Sequence, residues 1–275
     1  MPRARRLGAL MLGTVLLTGC AAPAARGADL PPTSGVFDYQ LGGLADALAD
    51  GTAIDVVVRD ATADPLPGAY NVCYVNGFQT QPGVSWDEEL LLRGDDGAPV
   101  TDPDWPDEYV LDPSTAPQRE AILDAILPTI DACTDAGFDA LEIDNLDTWT
   151  RFPAIERAAA LELATAYVEA ADRRGLAIAQ KNAAEAAVLA HGLGVDFAVV
   201  EECAAYDECD AYARVYGSHV LQIEYPDSLA DAGIDFAEAC ADAHRAPLTI
   251  LRDRDLVAPE DAGYRYESCT TGPTG

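Results

Sequence analysis

Residues 137–147 read Gly137-Phe138-Asp139-Ala140-Leu141-Glu142-Ile143-Asp144-Asn145-Leu146-Asp147, and this stretch decides how the rest of the chain is read. A glycine of the kind that ends helices leads into a largely apolar run, 138–143, of the length expected for a buried strand. The run stops abruptly in carboxylates and an amide. Side chains alternate along a strand, so Glu142 and Asp144 share one face while Ile143 and Asn145 take the other. Charge at the tip of a buried strand is costly to place. In parallel α/β folds that tip is also where ligands bind, so the run reads as a strand with chemistry at its carboxyl end.

The same pattern extends outward in both directions. Apolar runs at 36–39, 54–58, 70–75, 140–144, 177–181, 197–201, 220–225 and 248–251 give eight candidate strands. Amphipathic stretches at 44–49, 117–136, 154–174, 183–190, 207–216 and 228–243 read as helices, and Gly137, Gly175, Gly194 and Gly217 stand where helices should end. Alternating strands and helices imply a parallel sheet with right-handed crossovers. The fold class is therefore α/β, and the expectation is a single (β/α)8 TIM barrel, a fold of about 250 residues; an open doubly wound sheet is the alternative. One segment, 77–117, breaks the rhythm. It is rich in Asp, Pro and Gly, holds two of the three tryptophans, and reads as a functional loop overhanging the mouth after the third strand.

In a barrel the strand tips converge, and here they are polar. The second strand ends in Asp60, the fourth in Glu142, Asp144, Asn145 and Asp147, the fifth in Gln180, Lys181 and Asn182, the sixth in Glu201 and Glu202, and the seventh in Glu224 and Tyr225. Lys181 is the single lysine beside 16 arginines. A compact ammonium suits a crowded carboxylate pocket and holds a neighbouring acid in its ionised form. Carboxylates facing one another across a pocket are the equipment of glycoside hydrolysis: one protonates the leaving oxygen and the other attacks the anomeric carbon or activates water. Tyr39, Trp86, Trp105, Trp149 and Tyr225 are candidate flat faces for sugar rings. No P-loop, GxGxxG or GxSxG motif is present, the three histidines are scattered, and no cofactor or metal is expected.

The ends of the chain carry a different message. Arg3, Arg5 and Arg6 precede an apolar core, 7–17, too short to span a membrane. The core closes in Leu17-Thr18-Gly19-Cys20, which resembles a bacterial lipobox and implies cleavage before a lipidated Cys20. The expected organisation is a lipoprotein signal peptide at 1–19, a flexible tether at 20–34 and one catalytic-type domain at 35–275. The product would be exported and held on the outer face of the cytoplasmic membrane by lipid alone, or secreted. Removing 1–19 takes three of 17 basic residues and no acid, leaving 14 against 47, a net charge of −33. Such a field excludes nucleic acid as a partner and favours a cationic one. Cys73, Cys133, Cys203, Cys209, Cys240 and Cys269 form an even set, as in exported disulfide-bonded proteins. Of 15 possible pairings, Cys203–Cys209 is the favoured local bridge, Cys240–Cys269 would tie down the C-terminus, and Cys73–Cys133 would remain.

Several motifs are familiar in combination: Phe37-Asp38-Tyr39-Gln40-Leu41, Val72-Cys73-Tyr74, Trp105-Pro106-Asp107-Glu108 with Leu111-Asp112, and Gly137-Phe138-Asp139. The Glu142-to-Asp147 run follows, then Lys181-Asn182, Glu201-Glu202-Cys203 with Tyr206 and Cys209, and Glu224-Tyr225. In this order, over nearly all of 35–270, they resemble the endo-α-1,4-polygalactosaminidase family, glycoside hydrolase family 114. The resemblance implies a (β/α)8 hydrolase that cuts α-1,4 linkages inside galactosamine-containing exopolysaccharide. It places the two catalytic carboxylates at Asp144 and Glu201, and the expectation drawn from that pair is Asp144 as nucleophile, Glu201 as general acid/base and a retaining outcome. Asp60, Glu142, Asn145, Lys181, Asn182, Glu224, Tyr225, Tyr39 and Trp105 would line the subsites. The family often has Gln after the sixth-strand Glu where this chain has Glu202, so either Glu201 or Glu202 faces the pocket. The implied partner is a cationic amino-sugar polysaccharide met by a monomer. The alternative is a non-catalytic carbohydrate- or solute-binding lipoprotein.

Overall fold

The computed structural model describes residues 27–269. The expected signal peptide, Cys20 and the first part of the tether lie outside the described residues. Nine strands form one sheet in sequence order: β1 (Phe37–Gln40), β2 (Val56–Asp60), β3 (Tyr70–Asn76), β4 (Ala140–Asp144), β5 (Ala177–Lys181), β6 (Phe197–Glu201), β7 (Val220–Glu224), β8 (Leu248–Arg252) and β9 (Tyr266–Ser268). The first eight run parallel, and β9 pairs antiparallel with β8.

Alternation sorts the strand residues into two cores. Tyr39, Val58, Val72, Ala140, Ala179, Val199, Ile223 and Ile250, one from each of the first eight strands, share a single inner cluster, so the sheet is curled around it. The opposite faces of β3–β6 pack Cys73, Leu141, Ile143, Ile178 and Val200 against the helices. These helices are α1 (Ala116–Ala136), α2 (Thr148–Arg151), α3 (Arg157–Asp172), α4 (Ala187–Leu193), α5 (Cys209–Tyr216), α6 (Pro226–Ala232) and α7 (Phe236–Ala241).

The result is an α/β, TIM-barrel-like fold, consistent with the expected (β/α)8 barrel except that, among the described residues, its closure is not made by a backbone ladder. No backbone ladder between β1 and β8 is found among the strand pairings of the described residues. Side chains span that seam instead. The buried Arg252 of β8 donates to Asp38 Oδ1 at 2.5 Å and to the Tyr39 carbonyl at 2.6 Å, and the Tyr266 hydroxyl of β9 donates to the Phe37 carbonyl at 2.8 Å.

Other differences have local causes. The helix expected at 44–49 does not form: Gly42 and Gly43 press against the backbone of Asp255 and Ala258 at distances no Cβ could occupy, which commits the segment to a loop. The helix expected at 228–243 is two helices, broken at Gly233 (φ 76°) and restarted by an Asp235–Glu238 capping box. The 154–174 helix begins only at Arg157, with α2 a separate turn before it. Residues 27–34, assigned above to the tether, lie against the body. The Tyr70 hydroxyl donates to the Asp29 carbonyl, and the His219 Nδ1 meets the Pro31 carbonyl, both beside the amino-terminal starts of strands.

The long segment after β3 is folded. Bridges pair Gln79 with Val110, Leu91 with Leu111 and Thr101 with Tyr109, and Phe78, Leu90, Leu91 and Leu111 join the outer core. Disulfides join Cys73–Cys133, Cys203–Cys209 and Cys240–Cys269. Among the described residues no helix is long and apolar enough to cross a membrane.

Candidate active site

At the carboxyl ends of the strands the inward register delivers Tyr39 from β1, Glu142 and Asp144 from β4, Lys181 from β5 and Glu201 from β6. Tyr74 enters from β3, and Tyr225 follows directly after β7. Lys181, 5% exposed, is the centre of the group. Its Nζ lies 2.8 Å from Glu201 Oε2, 3.6 Å from Glu142 Oε1 and 4.0 Å from Asp144 Oδ2, and it sits above the rings of Tyr39 and Tyr74. Each carboxylate also has its own hydroxyl donor: Tyr39 to Glu142 Oε1 at 2.9 Å, Tyr74 to Asp144 Oδ2 at 2.6 Å, and Tyr225 to Glu201 Oε1.

Three of these strands end alike. Asn145, Asn182 and Glu202, the residues following Asp144, Lys181 and Glu201, all have positive φ (66°, 47° and 64°). Left-handed backbone turns the chain away at once and leaves the preceding side chain at the tip. Asn accepts that conformation readily, whereas a longer residue such as Glu202 bears a cost of roughly 1–2 kcal/mol. Asn182 is also used directly: its Oδ1 accepts the Glu201 amide at 2.8 Å.

Burial and charge divide the three acids. Burial pushes the wholly buried Glu142 carboxyl up to about 8, against the Lys181 charge and with a further push from Asp144. Its Oε2 has no hydrogen-bond partner. Burial also opposes ionisation of Glu201, but the Lys181 charge and the hydrogen bonds from Lys181, Tyr225 and Asn182 outweigh it and hold the group below its ordinary value. For Lys181 burial favours the neutral amine, and the charges of Asp144, Glu201 and Glu142 override it, raising the group well above its usual range. The pocket thus sets one ammonium against three carboxyl groups, one of which keeps its proton near neutral pH.

Of the residues expected at the site, Tyr39, Glu142, Asp144, Lys181, Asn182, Glu201 and Tyr225 come together. Glu201, not Glu202, meets Lys181. Glu224 is a correction. Ile223 and Tyr225 take the inner positions, so alternation turns Glu224 outward, where Oε1 accepts from the Ala204 amide and from Gln222, each at 2.8 Å. It lies there against the Cys203–Cys209 disulfide, whose sulfurs are bonded to each other. The Asn145 amide is engaged in the frame, donating to Asn76 Oδ1 and accepting from Arg151. Asp60 caps Thr62 and accepts from Gln81 of the long loop at 3.0 Å. Trp105 stands on that loop, 64% exposed, while Trp86 and Trp149 pack against the outer core.

Tyr74 and Glu108 stand in the motifs quoted above but were not among the expected site residues, and neither were Asn76, Arg151 and Arg254. Alternation alone places Tyr74, two residues beyond Val72, on the inner face. Glu108 arrives from the long loop and accepts from Asn76 Nδ2 at 2.9 Å; burial and the nearby Asp144 charge push it up to about 7. Nothing periodic in a loop announces such a residue.

The model of glycoside-hydrolase family GH114 matches residues 19–273. Aspergillus fumigatus Ega3, solved in complex with galactosamine, is similar in structure at a TM-score of 0.69 and 20% identity, over 90% of this chain and 100% of that chain. The glycoside hydrolase domain of PelA from Pseudomonas aeruginosa aligns at 0.55 and 17% identity, over 80% of this chain and 95% of that one. At these identities the likeness establishes the fold. No curated protein matches the chain.

Proposed function

The chain belongs to glycoside-hydrolase family GH114, and from that premise we propose that it is an exported, monomeric endo-hydrolase of galactosamine-containing polysaccharide. It cuts α-1,4 linkages with retention. Asp144 attacks the anomeric carbon as Glu201 protonates the departing oxygen; Glu201 then takes a proton from the water that releases the sugar from Asp144.

The observation that carries this reading is the Lys181 ammonium, 2.8 Å from Glu201 and 4.0 Å from Asp144. Two oxygens at those distances from one nitrogen lie no further apart than the distances laid end to end. That is compatible with the roughly 5–5.5 Å spacing of retaining pairs, which supports the retaining reading. The surplus of carboxyl groups around one ammonium, in a chain of net charge −30, favours a protonated amino sugar. Ega3, similar in fold, was solved with galactosamine.

One observation favours the opposite division of labour. The Lys181 contact holds Glu201 ionised in the free site, as a nucleophile requires. Release of reducing ends from partly deacetylated galactosaminan tests the function itself. Activity in wild type that disappears in Asp144→Asn and Glu201→Gln supports the reading, and activity that survives both substitutions refutes it.

Three disulfides suit an oxidising compartment outside the cytoplasm. A lipid on Cys20 would hold the chain by a segment that reaches the body at the amino-terminal ends of the strands, opposite the carboxylates.

A further inference from the structure

Arg254 follows β8 at the same end of the sheet as the carboxylates, and its contacts converge on the two flanks of Glu201. Its guanidinium carbon stands 4.2 Å from the centre of the Tyr225 ring, the residue whose hydroxyl donates to Glu201 Oε1. Its Nη2 donates to Glu202 Oε1 at 2.7 Å and to Asp227 Oδ1 at 2.9 Å, and Nε reaches Asp227 Oδ2 at 3.2 Å. Ser228 donates to the same Glu202 oxygen. Glu202 is the peptide neighbour of Glu201 and holds the unfavourable left-handed conformation (φ 64°) that turns the chain away directly after it.

We propose that Arg254 is a positioning residue for Glu201, clamping Glu202 on one side and Tyr225 on the other. A planar guanidinium lies flat on a ring while its edge presents a fixed fork of donors to carboxylates, a geometry that a compact ammonium on a flexible stem does not reproduce. Glu202 and Asp227 also answer its charge, so it faces a cationic ligand as part of a neutralised cluster. The same contacts give Glu202 a physical role: its carboxylate is the handle by which the strand end is fixed.

The inference rests on the reading that Glu201 reacts, and the two can fail separately. The experiment is steady-state kinetics of the full chain on partly deacetylated galactosaminan, across pH, for Arg254→Met, Arg254→Lys and Glu201→Gln, with melting temperatures as the folding control. Arg254→Met should lower kcat at least tenfold with KM within twofold. The ionisation of Glu201 should move to higher pH as Tyr225 loses its hold. Arg254→Lys, which keeps the charge but not the stacked fork, should keep the fold and recover only part of kcat. An unchanged kcat and pH profile in both Arg254 variants overturns the clamp, as does a loss confined to KM, which would make Arg254 a substrate contact. If Glu201→Gln is fully active, the reading of the site falls, and the clamp with it. If Glu201→Gln is inactive and Arg254→Met unimpaired, only the clamp falls.

Discussion

Lys181 Nζ lies 2.8 Å from Glu201 Oε2, closer than to either of the other two carboxylates it faces. The single lysine of the chain therefore sits where β4, β5 and β6 bring their acids together. Removing one partner of a buried ion pair leaves an uncompensated charge and typically costs about 3–5 kcal/mol. Lys181→Met should lose stability on that scale, measured by denaturant unfolding. Lys181→Arg should stay folded yet lose at least tenfold in kcat/KM, because a guanidinium cannot meet three carboxylates from one point. Full turnover in Lys181→Arg would make the lysine incidental.

Glu142 gives the fold a pH signature. Its carboxyl is raised from 4.5 to about 8 by burial, so between those values the folded chain holds a proton that the unfolded chain has released. Stability from this group is therefore complete below pH 4.5 and declines as pH rises through about 8. Melting temperatures from pH 5 to 9 should fall more steeply in wild type than in Glu142→Gln. Parallel curves would contradict the assignment.

Tyr74 and Tyr225 each give a hydroxyl hydrogen to a carboxylate of the proposed pair. A hydrogen bond to a charged group contributes about 1.5–3 kcal/mol. Tyr74→Phe and Tyr225→Phe should each reduce kcat roughly ten- to a hundredfold if that energy is felt in the transition state. Melting temperature, which the same bonds support in the folded state, should fall by several degrees at most. An effect on KM alone would make these tyrosines substrate contacts.

The disulfides should differ in what they contribute. Loop-closure entropy assigns about 4 kcal/mol to the 60-residue separation of Cys73–Cys133 and about 2 kcal/mol to the 6-residue separation of Cys203–Cys209. Paired alanine variants compared by denaturant unfolding should follow that order. The Cys203–Cys209 variant should instead show the larger loss of activity, since that bridge closes the loop directly after Glu201 and Glu202. The reverse ranking of both quantities would contradict this.

Much of the frame was legible because buried parallel strands read as continuous apolar runs. Residues 140–144, 177–181 and 197–201 are strands with the bounds expected, and each ends in a site residue. The seam was not legible. It depends on Arg252 and Tyr266 reaching β1 across more than 200 residues of sequence, which no local period records. Glu224 was misplaced although alternation was available: Tyr225 and Glu224 cannot share a face. Glu108 and Arg254 come from a loop and a strand exit whose positions are set by tertiary contacts alone. The helix expected at 44–49 had the right composition, but the close packing of Gly42 and Gly43 decided against it.

The central claim is that Asp144 and Glu201 form the reacting pair, with Asp144 as nucleophile. Azide rescue of Asp144→Ala and Glu201→Ala on an α-galactosaminide with an activated leaving group tests it most directly, by the configuration of the glycosyl azide formed. The account predicts the β-azide from Asp144→Ala, where azide replaces the nucleophile, and the α-azide from Glu201→Ala, where it intercepts the glycosyl-enzyme. The opposite pair of products would exchange the two roles, and rescue of neither variant, with both retaining wild-type turnover, would contradict the pair altogether.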